Sequence, residues 1–426
     1  MNYGFYGKVL EVNLSSGESR ETVLPGEYYR RYLGGSGLAA KIFYERGYHK
    51  IDPFDEAAPL LVFTGVLTGH SVPTACKAVF CGRSPATGIW AEATVGGYWP
   101  AALKTCGYDG LIITGRAPRP VYLYLNGSGL EIRDAASLWG QDVYATRDLI
   151  QEELVEECRV AAIGPAGENG ALIAAIIIDG VDARAAGRCG LGALMGAKNL
   201  KAVAARRSGN IPEVADPGGL AQARKESLPR IREKAKGLTD FGTAGGVPLV
   251  ERLGDLPIRN WTRGSWTEGA ARVSGQGMAE AGLRVKHYAC FSCPIRCGKD
   301  MKVEVGPYRG TVAHGPEYET IAGFGAMCLN DDPNYIIAAN DLCNRLGLDT
   351  ISTAAAVAFA MELFERGLIN ETETGGLDLQ WGNGEAILKL IPLIAGREGL
   401  GAQLSLGVKR AAAHFGPLAQ EFIAES

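Results

Sequence analysis

Hydrophobic and polar positions change their spacing about halfway along the chain. In the first half, short runs of β-branched or alternating apolar residues are separated by glycine-rich breaks. Runs of this kind predict β-strands. The predicted strands cover residues 8–14, 60–65, 78–82, 111–115, 121–125, 160–164, 171–180 and 201–207. Two segments, 37–47 and 145–157, repeat their apolar positions at helical spacing and predict helices between these strands.

A proline- and glycine-containing polar stretch, 208–219, is typical of a linker. After it, alanine-rich segments with helical periodicity predict a mainly helical region. The predicted helices cover residues 219–237, 316–328, 333–347, 350–367, 386–399 and 400–416. The pattern therefore predicts an α+β protein, with a β-rich domain over residues 1–208 and a helical domain over residues 209–426 that carries Cys290, Cys293 and Cys297.

Composition and charge narrow the class of protein. A chain of 426 residues is too long for one ordinary core, and 46% hydrophobic with 21% charged residues is typical of a globular protein. The net charge of −4 offers no basic surface for nucleic acid. The first residues lack the features of a signal peptide, and no apolar run reaches the roughly 18 residues of a membrane span. We therefore expect a soluble, cytoplasmic protein.

The chain has ten cysteines, and three of them are closely spaced. Cys290, Cys293 and Cys297 form a C-x2-C-x3-C motif, whose thiolates can bind three irons of a cubane cluster. A tetrahedral zinc site that includes His287 or His314 is the alternative. The other seven cysteines stand among small or apolar neighbours, where buried cysteines act as small hydrophobic residues. These are Cys76, Cys81, Cys106, Cys158, Cys189, Cys328 and Cys343.

Two carboxylates, Glu317 and Glu319, flank Tyr318 at the start of a predicted helix. Acidic residues favour a helix N-terminus through the helix dipole and need no further role. Alternatively, a carboxylate in a closed apolar pocket has a raised pKa and can move a proton near neutral pH.

Glycine and alanine surround three basic residues, Arg184, Arg188 and Lys198, in the segment 183–203. Main-chain N–H groups and guanidinium groups in such a segment can close on a phosphate. A closely packed glycine- and alanine-rich helix would have a similar sequence, so both interpretations stay open.

Many motifs along the chain, in the same order, resemble the tungsten-containing aldehyde:ferredoxin oxidoreductase family. They are GKVLEVNLSSG, YLGGSGLAAKI, TGVLTG, RSPATG, GGYWPAALKTCGYDGLIITG, AAIGPAGEN, AAGRCGLGALMGAKNLKAV, CFSCPIRC, GPEYET and CNRLGLDTIS. Because the motifs extend over nearly the whole chain, the resemblance is much more specific than any one of them.

The resemblance implies a first domain in which two β-sheets form a saddle that supports a tungsten bis-pyranopterin (molybdopterin) cofactor, with a [4Fe–4S] cluster beside it. By the resemblance, Cys290, Cys293 and Cys297 hold the cluster, with the family's fourth cysteine far downstream. Glu319 matches the glutamate that moves protons in the active site. Four residues match pterin contacts, namely Arg184, Ala185, Gly187 and Arg188.

Some positions depart from the family pattern. The segment from Asn344 to Asp349, which includes Leu348, resembles the DxxGLD pterin motif with asparagine in place of the first acid. Lys77 stands where the family often has arginine, and lysine cannot form the planar fork of a guanidinium group. Thr94, just before Gly96, stands where the family often has asparagine, near a magnesium ion that bridges the pterin phosphates.

The resemblance implies oxidation of an aldehyde to a carboxylic acid, with electrons passed to ferredoxin, by a homodimer. Tungsten in preference to molybdenum rests on the resemblance alone. The related benzoyl-coenzyme A reductases use a similar scaffold for ring reduction and remain an alternative.

Two further alternatives concern the chain itself. Where the family's third domain is expected to begin, the sequence ends, which favours a truncated product or one half of a split enzyme, with a separate polypeptide that supplies the rest. Cys328 and Cys343 are then the possible substitutes for the fourth cysteine, although core packing is the simpler role. A structural zinc module is the other alternative.

Overall fold

The computed structural model describes residues 3–155 and 157–424, which divide into two compact units. Unit 1 contains the described residues up to Gly170, together with Ala174–Lys234 and Ala289–Pro294. Unit 2 contains Ala171–Ile173, Ala235–Tyr288 and the described residues from Ile295 onward. The Cys290 and Cys293 loop therefore belongs to unit 1, although it lies late in the sequence.

Unit 1 is built on two mixed sheets, each with six strands among the described residues, in the orders β2-β1-β6-β3-β4-β5 and β11-β10-β9-β12-β7-β8. The strands are β1 Lys8–Asn13, β2 Glu18–Val23, β3 Leu60–Thr64, β4 Ala78–Arg83, β5 Trp90–Val95, β6 Gly110–Thr114, β7 Val121–Asn126, β8 Gly129–Asp134, β9 Arg159–Ala162, β10 Ile176–Ile178, β11 Arg184–Ala186 and β12 Leu200–Ala205.

The two sheets share one hydrophobic core, to which both contribute buried aliphatic side chains. Trp99 lies within this core, where its ring stacks on Phe80 of the first sheet with a centroid distance of 5.3 Å. Its Nε1 donates to the carbonyl of Val203 in the second sheet at 2.8 Å. Complete burial of such a side chain stabilises the fold by about 2–3 kcal/mol.

Helices cover the sheets of unit 1 and connect their strands. They are α1 Gly26–Tyr32, α2 Gly35–Glu45, α3 Trp99–Thr105, α4 Val143–Leu154, α5 Pro165–Glu168, α6 Leu191–Ala197 and α7 Pro217–Lys234, with short 3₁₀ turns at Tyr48–Lys50 and Gly180–Asp182. A buried ion pair holds α3 in place, since Lys104 Nζ lies 2.5 Å from Asp109 Oδ1. The same carboxylate accepts hydrogen bonds from the Tyr29 hydroxyl and the Gly7 N–H.

Unit 2 is mainly helical. Its helices are α8 Lys236–Phe241, α9 Val247–Arg252, α10 Thr267–Val273, α11 Gly275–Glu280, α12 Tyr318–Ile321, α13 Pro333–Leu346, α14 Thr350–Glu365, α15 Gly384–Gly396, α16 Leu400–Leu404 and α17 Val408–Phe415. A π-helix, Ala322–Met327, continues α12, and 3₁₀ turns occupy Thr243–Gly246 and Pro417–Phe422. Helix α14 packs against α13, α15, α16 and α17, and its central residues are buried on all sides.

Unit 2 also contains a small antiparallel sheet, β13 Arg284–Tyr288, β14 Gly298–Lys302 and β15 Val312–His314. The periodicity did not predict this sheet, because β13 is largely exposed and mostly polar. The chain between β13 and β14 carries the three closely spaced cysteines.

The arrangement of sheets and helices confirms the predicted α+β class. The prediction missed β2, β5, β8 and β11. Of these, β2 and β8 are polar edge strands that lack buried alternation. The predicted strand 171–180 was too long, since only Ile176–Ile178 pairs in the sheet. The predicted helix 400–416 is broken where Gly407 adopts a φ of 82°.

No helix within residues 3–155 and 157–424 combines the length and apolar character needed to cross a bilayer.

Candidate functional site

The loop that carries Cys290 and Cys293 is attached to unit 1 by its main chain. The N–H of Phe291 donates to the carbonyl of Gly97 at 3.1 Å. The carbonyl of Ser292 accepts a hydrogen bond of 3.3 Å from the N–H of Thr74. The loop is therefore held between the segment that follows β5 and the segment that precedes β4.

Three functional groups surround the Cα of Gly96. A Cβ atom at this position would lie 3.1 Å from the sulfur of Cys290, 3.7 Å from Nζ of Lys77 and 3.9 Å from the sulfur of Cys76. Any residue larger than glycine at position 96 would crowd the sulfur of Cys290. The fold thus brings Lys77 and Gly96, which the resemblance connected with the pterin, together with a predicted cluster ligand.

The neighbouring Cys76 is the largest influence on the pKa of Cys290, which falls to about 5 although burial acts in the opposite direction. The charges of Arg184 and Lys77 and the Gly97 N–H also lower this pKa. Cys290, together with burial, raises the pKa of Cys76, whose thiol donates to the carbonyl of Thr74 at 3.6 Å. At neutral pH Cys290 is therefore a thiolate, the form that binds iron.

A cavity of about 310 Å³ lies beside these thiols in unit 1. Its lining includes Cys290, Cys293, Tyr98 and Arg224. The Nε of Arg224 is buried and has no hydrogen-bond partner among the described residues. Thiol ligands next to a buried, unused N–H donor suit an iron–sulfur cluster, because cluster sulfur atoms accept hydrogen bonds.

The other predicted pterin contacts of unit 1 lie in β5, in β11 and just after β11. Arg184 pairs with Ile178 at the start of β11, and its charge acts on Cys290. Three of these residues, Thr94, Ala185 and Arg188, are exposed, and Gly187 is half-buried.

For Lys198 the structure favours the packed-helix interpretation over the phosphate interpretation. Lys198 is 2% exposed, and its Nζ donates to the carbonyls of Glu56 and Gly115 at 3.4 and 3.3 Å. Burial lowers its pKa to about 8. The preceding helix α6 packs so closely that a Cβ at Gly196 would lie 2.0 Å from the carbonyl oxygen of Gly167. This part of the segment is therefore a packed glycine- and alanine-rich helix.

Cys297 belongs to unit 2, next to the start of β14. Its carbonyl accepts a hydrogen bond of 2.8 Å from Nζ of Lys299. The main chain of Gly242 approaches the same carbonyl, and a Cβ there would lie 2.8 Å from it. The thiol of Cys297 is partly exposed.

The histidines of the zinc alternative lie in the small sheet. His287 pairs with Lys299, and the buried His314 pairs with Asp300. In the parts of the chain that the structure describes, no three His, Cys, Asp or Glu side chains are grouped to hold one metal ion.

Glu319 lies in the first turn of α12, and its side chain is exposed. The closed apolar pocket considered for this carboxylate is therefore not formed by the described residues. Glu317 instead bonds to Thr243 and lies with Oε1 3.8 Å from Nε2 of His314. Helix α12 continues directly into the π-helix, a distortion that often marks functional sites.

The DxxGLD-like segment connects α13 with α14. Asn344 is buried in α13, and Leu348 is 1% exposed. The carboxylate of Asp349 caps α14 by accepting a hydrogen bond of 2.8 Å from the N–H of Ser352. The second acid of the motif thus has a structural task in unit 2.

Sequence reasoning missed one neighbour of the cysteine loop. Cys328 and Cys343 are fully buried in helical surroundings, as the core interpretation predicts. Cys76 is also buried, but its thiol meets Cys290. Its position directly before Lys77, a residue that the resemblance connects with the cofactor, was the sequence feature that could have identified it.

The fold and these groups define an oxidoreductase scaffold, and comparisons with known proteins specify which one. The family model "Aldehyde ferredoxin oxidoreductase, N-terminal domain" matches residues 9–207. The model "Aldehyde ferredoxin oxidoreductase, domains 2 & 3" matches residues 221–426. The chain belongs to the aldehyde ferredoxin oxidoreductase family of tungsten enzymes.

Named relatives agree with this assignment. A tungsten-containing aldehyde ferredoxin oxidoreductase of Pyrococcus horikoshii is 40% identical over 98% of this chain and 68% of its own length. An aliphatic sulfonate oxidoreductase, WOR-like subunit, of Pyrococcus furiosus is 33% identical over 96% of this chain and 67% of its own.

A solved structure is also similar to this chain. It is the active site complex BamBC of benzoyl coenzyme A reductase with 1,5-dienoyl-CoA. It matches with a TM-score of 0.85 and 29% identity, over 99% of this chain and 65% of that one.

Proposed function

We propose that the chain is part of an enzyme that oxidises an aldehyde to a carboxylic acid and passes two electrons through a [4Fe–4S] cluster to ferredoxin. The observation that carries the proposal is the proximity of Cys290 to Lys77, Gly96 and Arg184 in unit 1. These residues are far apart in sequence, and the family resemblance connects them with two adjacent cofactors.

Specific groups of this chain would hold those cofactors. Cys290, Cys293 and Cys297 would bind the cluster, and the N–H groups of Lys77, Arg184 and Arg224 would offset its negative charge. Arg184, Ala185, Gly187 and Arg188 would contact the pterin cofactor, as would Asn344, Leu348 and Asp349. Thr94 and Gly96 would lie near a magnesium ion between the pterin phosphates. When bound, the tungsten pterin and the cluster supply the two-electron chemistry and the outward electron path.

Glu319 is proposed as the proton acceptor. When water adds to the aldehyde carbon, one proton leaves the attacking oxygen, and a carboxylate is a suitable acceptor for it. The short helix α12 and the π-helix after it fix the position of Glu319 on unit 2.

Partners are also part of the proposal. Ferredoxin is proposed as the electron acceptor, and a small aldehyde as the substrate. A second polypeptide is supported by the solved relative, which is a complex. A homodimer and a cytoplasmic location follow the family expectation.

Metal analysis tests this proposal. The full chain, purified without oxygen, should contain tungsten and about four irons. It should also reduce ferredoxin when an aldehyde is added. Folded protein that contains neither metal after anaerobic supply of both would refute the proposal. The mass of any co-purifying polypeptide tests the second subunit.

A second candidate is reduction of an aromatic acyl-coenzyme A. The similar BamBC complex holds 1,5-dienoyl-CoA. In addition, a cavity of about 500 Å³ in unit 1 is lined by Arg159, Arg206, Arg207, Tyr98 and Phe291. Guanidinium groups over aromatic rings suit phosphates and a purine base. Turnover of benzoyl-CoA or its dienoyl product, without turnover of aldehydes, would favour this candidate.

A further inference from the structure

One face of helix α7 borders the cavity beside the cysteine loop. The half-buried residues of α7 are spaced three or four positions apart, so they lie on one face of the helix. They are Leu220, Arg224, Ser227, Leu228 and Ile231. Arg224 and Leu228 line the cavity of about 310 Å³ together with Cys290 and Cys293, all within unit 1. This face of α7 is therefore directed towards two predicted cluster ligands.

Within α7, all of which the structure describes, Arg224 is the one charged residue on this face. The other charged residues of the helix are exposed, namely Lys225, Glu226, Arg230, Arg232, Glu233 and Lys234. A guanidinium group placed among leucine and isoleucine side chains loses part of its hydration, which costs free energy unless an acceptor replaces the water. The position of Arg224 in this stripe therefore indicates a hydrogen-bond acceptor in the cavity.

The described residues do not supply this acceptor. The Nε of Arg224 is buried and has no hydrogen-bond partner in the described part of the chain. The described residues that line the cavity include no aspartate or glutamate. Other arginines of unit 1 pair with carboxylates, as Arg46 does with Glu11 at 2.8 Å. Arg224 thus keeps a buried N–H donor and a positive charge available for a bound group.

An iron–sulfur cluster at the cysteine loop has the chemistry that Arg224 lacks a partner for. Cys290 and Cys293 line the same cavity as Arg224, so a cluster bound to their thiolates would lie beside the guanidinium group. Sulfur atoms of such a cluster accept hydrogen bonds, and the cluster with its thiolates has a net negative charge. Both the unused donor and the unpaired charge would then be satisfied.

We propose that Arg224 donates a hydrogen bond to a sulfur atom of the cluster and thereby raises its reduction potential. This rests on the proposed function, because it assumes that the cluster is present. Uptake of one electron makes the cluster more negative, and a neighbouring guanidinium group stabilises the reduced form more than the oxidised form. Arg224 itself forms no bond to iron, stays protonated and exchanges no electron.

The test measures the reduction potential of the cluster in variants of the full chain. Wild type, Arg224→Met, Arg224→Lys and Arg230→Met are supplied with ferrous iron and sulfide without oxygen. Arg230→Met is the matched control, because it removes an exposed arginine from the same helix. Iron content is determined, and a redox titration followed by electron paramagnetic resonance gives the midpoint potential.

We expect about four irons in all four proteins, because Arg224 is not a ligand. At the wild-type midpoint potential, the ratio of reduced to oxidised cluster should be about tenfold lower in Arg224→Met. For one electron this equals a shift of about 59 mV to lower potential. Arg224→Lys should shift less, because lysine keeps the positive charge, and Arg230→Met should match wild type. In D₂O, pulsed electron paramagnetic resonance should show a coupled exchangeable proton in wild type that Arg224→Met lacks.

The outcomes separate this proposal from the proposed function. A wild-type potential in an iron-loaded Arg224→Met variant would overturn the role of Arg224 and leave the proposed function intact. An equal shift in Arg230→Met would also overturn it, since the effect would then belong to the charge of the helix as a whole. Arg224→Met that is folded by circular dichroism but holds no iron would make Arg224 necessary for binding and overturn the tuning role. A wild-type chain that binds no cluster would refute both proposals.

Discussion

The carboxylate of Asp179 accepts a hydrogen bond of 2.6 Å from the main-chain N–H of Tyr98 and a longer one from Trp99. Asp179 lies directly after β10, whereas Tyr98 precedes α3. The contact therefore connects the second sheet of unit 1 to the glycine pair, Gly96 and Gly97, beside Cys290. Burial raises the pKa of Asp179 to about 6.

This raised pKa predicts a pH-dependent stability. In the unfolded chain this carboxyl releases its proton near pH 3.8, whereas in the folded protein it keeps the proton up to about pH 6. The contribution of Asp179 to the free energy of unfolding should therefore fall as pH rises from about 4 to 6, by about 3 kcal/mol. Asp179→Asn should lack this decrease while its amide oxygen still accepts both bonds. Urea unfolding of both proteins across this range checks the difference, and parallel curves would contradict the prediction.

Substitution of Gly97 should disturb the same contact. Gly97 has a φ of 96°, and an added Cβ would lie 2.4 Å from Oδ2 of Asp179. We expect Gly97→Ala to lower the free energy of unfolding by about 3 kcal/mol or more, from steric overlap together with backbone strain. Gly88 is the matched control, because it has a φ of 76° with open space around it. Gly88→Ala should cost only about 1 kcal/mol. Equal decreases in the free energy of unfolding of the two variants, measured by urea unfolding, would contradict the prediction and show that the overlap is relieved.

Glu319→Gln should abolish or greatly reduce turnover while metal content stays unchanged. An amide cannot accept the proton that a carboxylate accepts, and we expect a loss of about 100-fold or more in kcat. Glu268→Gln is the control, since Glu268 is also exposed in the first turn of a helix. Its loss should affect only helix stability, by about 0.5 kcal/mol. Steady-state kinetics together with tungsten analysis distinguishes the two roles, and unchanged turnover in Glu319→Gln would refute the assignment.

Cys343→Ala should weaken the core without affecting the cluster. The thiol is completely buried in α13, close to Thr353 of α14. Removal of the sulfur should cost about 1–2 kcal/mol and leave the iron content unchanged. Denaturant unfolding and iron analysis measure the two effects. A loss of iron in a folded variant would instead make Cys343 a ligand.

The sequence pattern predicted those strands, helices and motifs that a single continuous segment forms. The buried strands β3, β4 and β6 and the helices α13 and α14 were predicted nearly at their observed bounds, because apolar periodicity reports burial directly. The C-x2-C-x3-C motif was visible for a similar reason, since its cysteines are close along the chain.

Local sequence could not assign roles that depend on distant partners. Lys198 and Arg184 stand in one basic glycine-rich segment, yet Lys198 donates to buried carbonyls whereas Arg184 acts on Cys290. The two environments differ because one side chain points into the packed interior of unit 1 and the other lies beside the cysteine loop. No property of the segment by itself separates them.

The sequence by itself determined the α+β class, the family resemblance, and the candidate cysteines and carboxylates. Only the tertiary structure placed Cys76 against Cys290, left Glu319 exposed, and used Asp349 as a helix cap. The physical reason is that periodicity and motif spacing encode local burial and local geometry. A thiol's partner, in contrast, is decided by how segments more than two hundred residues apart in the chain, such as those of Cys76 and Cys290, pack together.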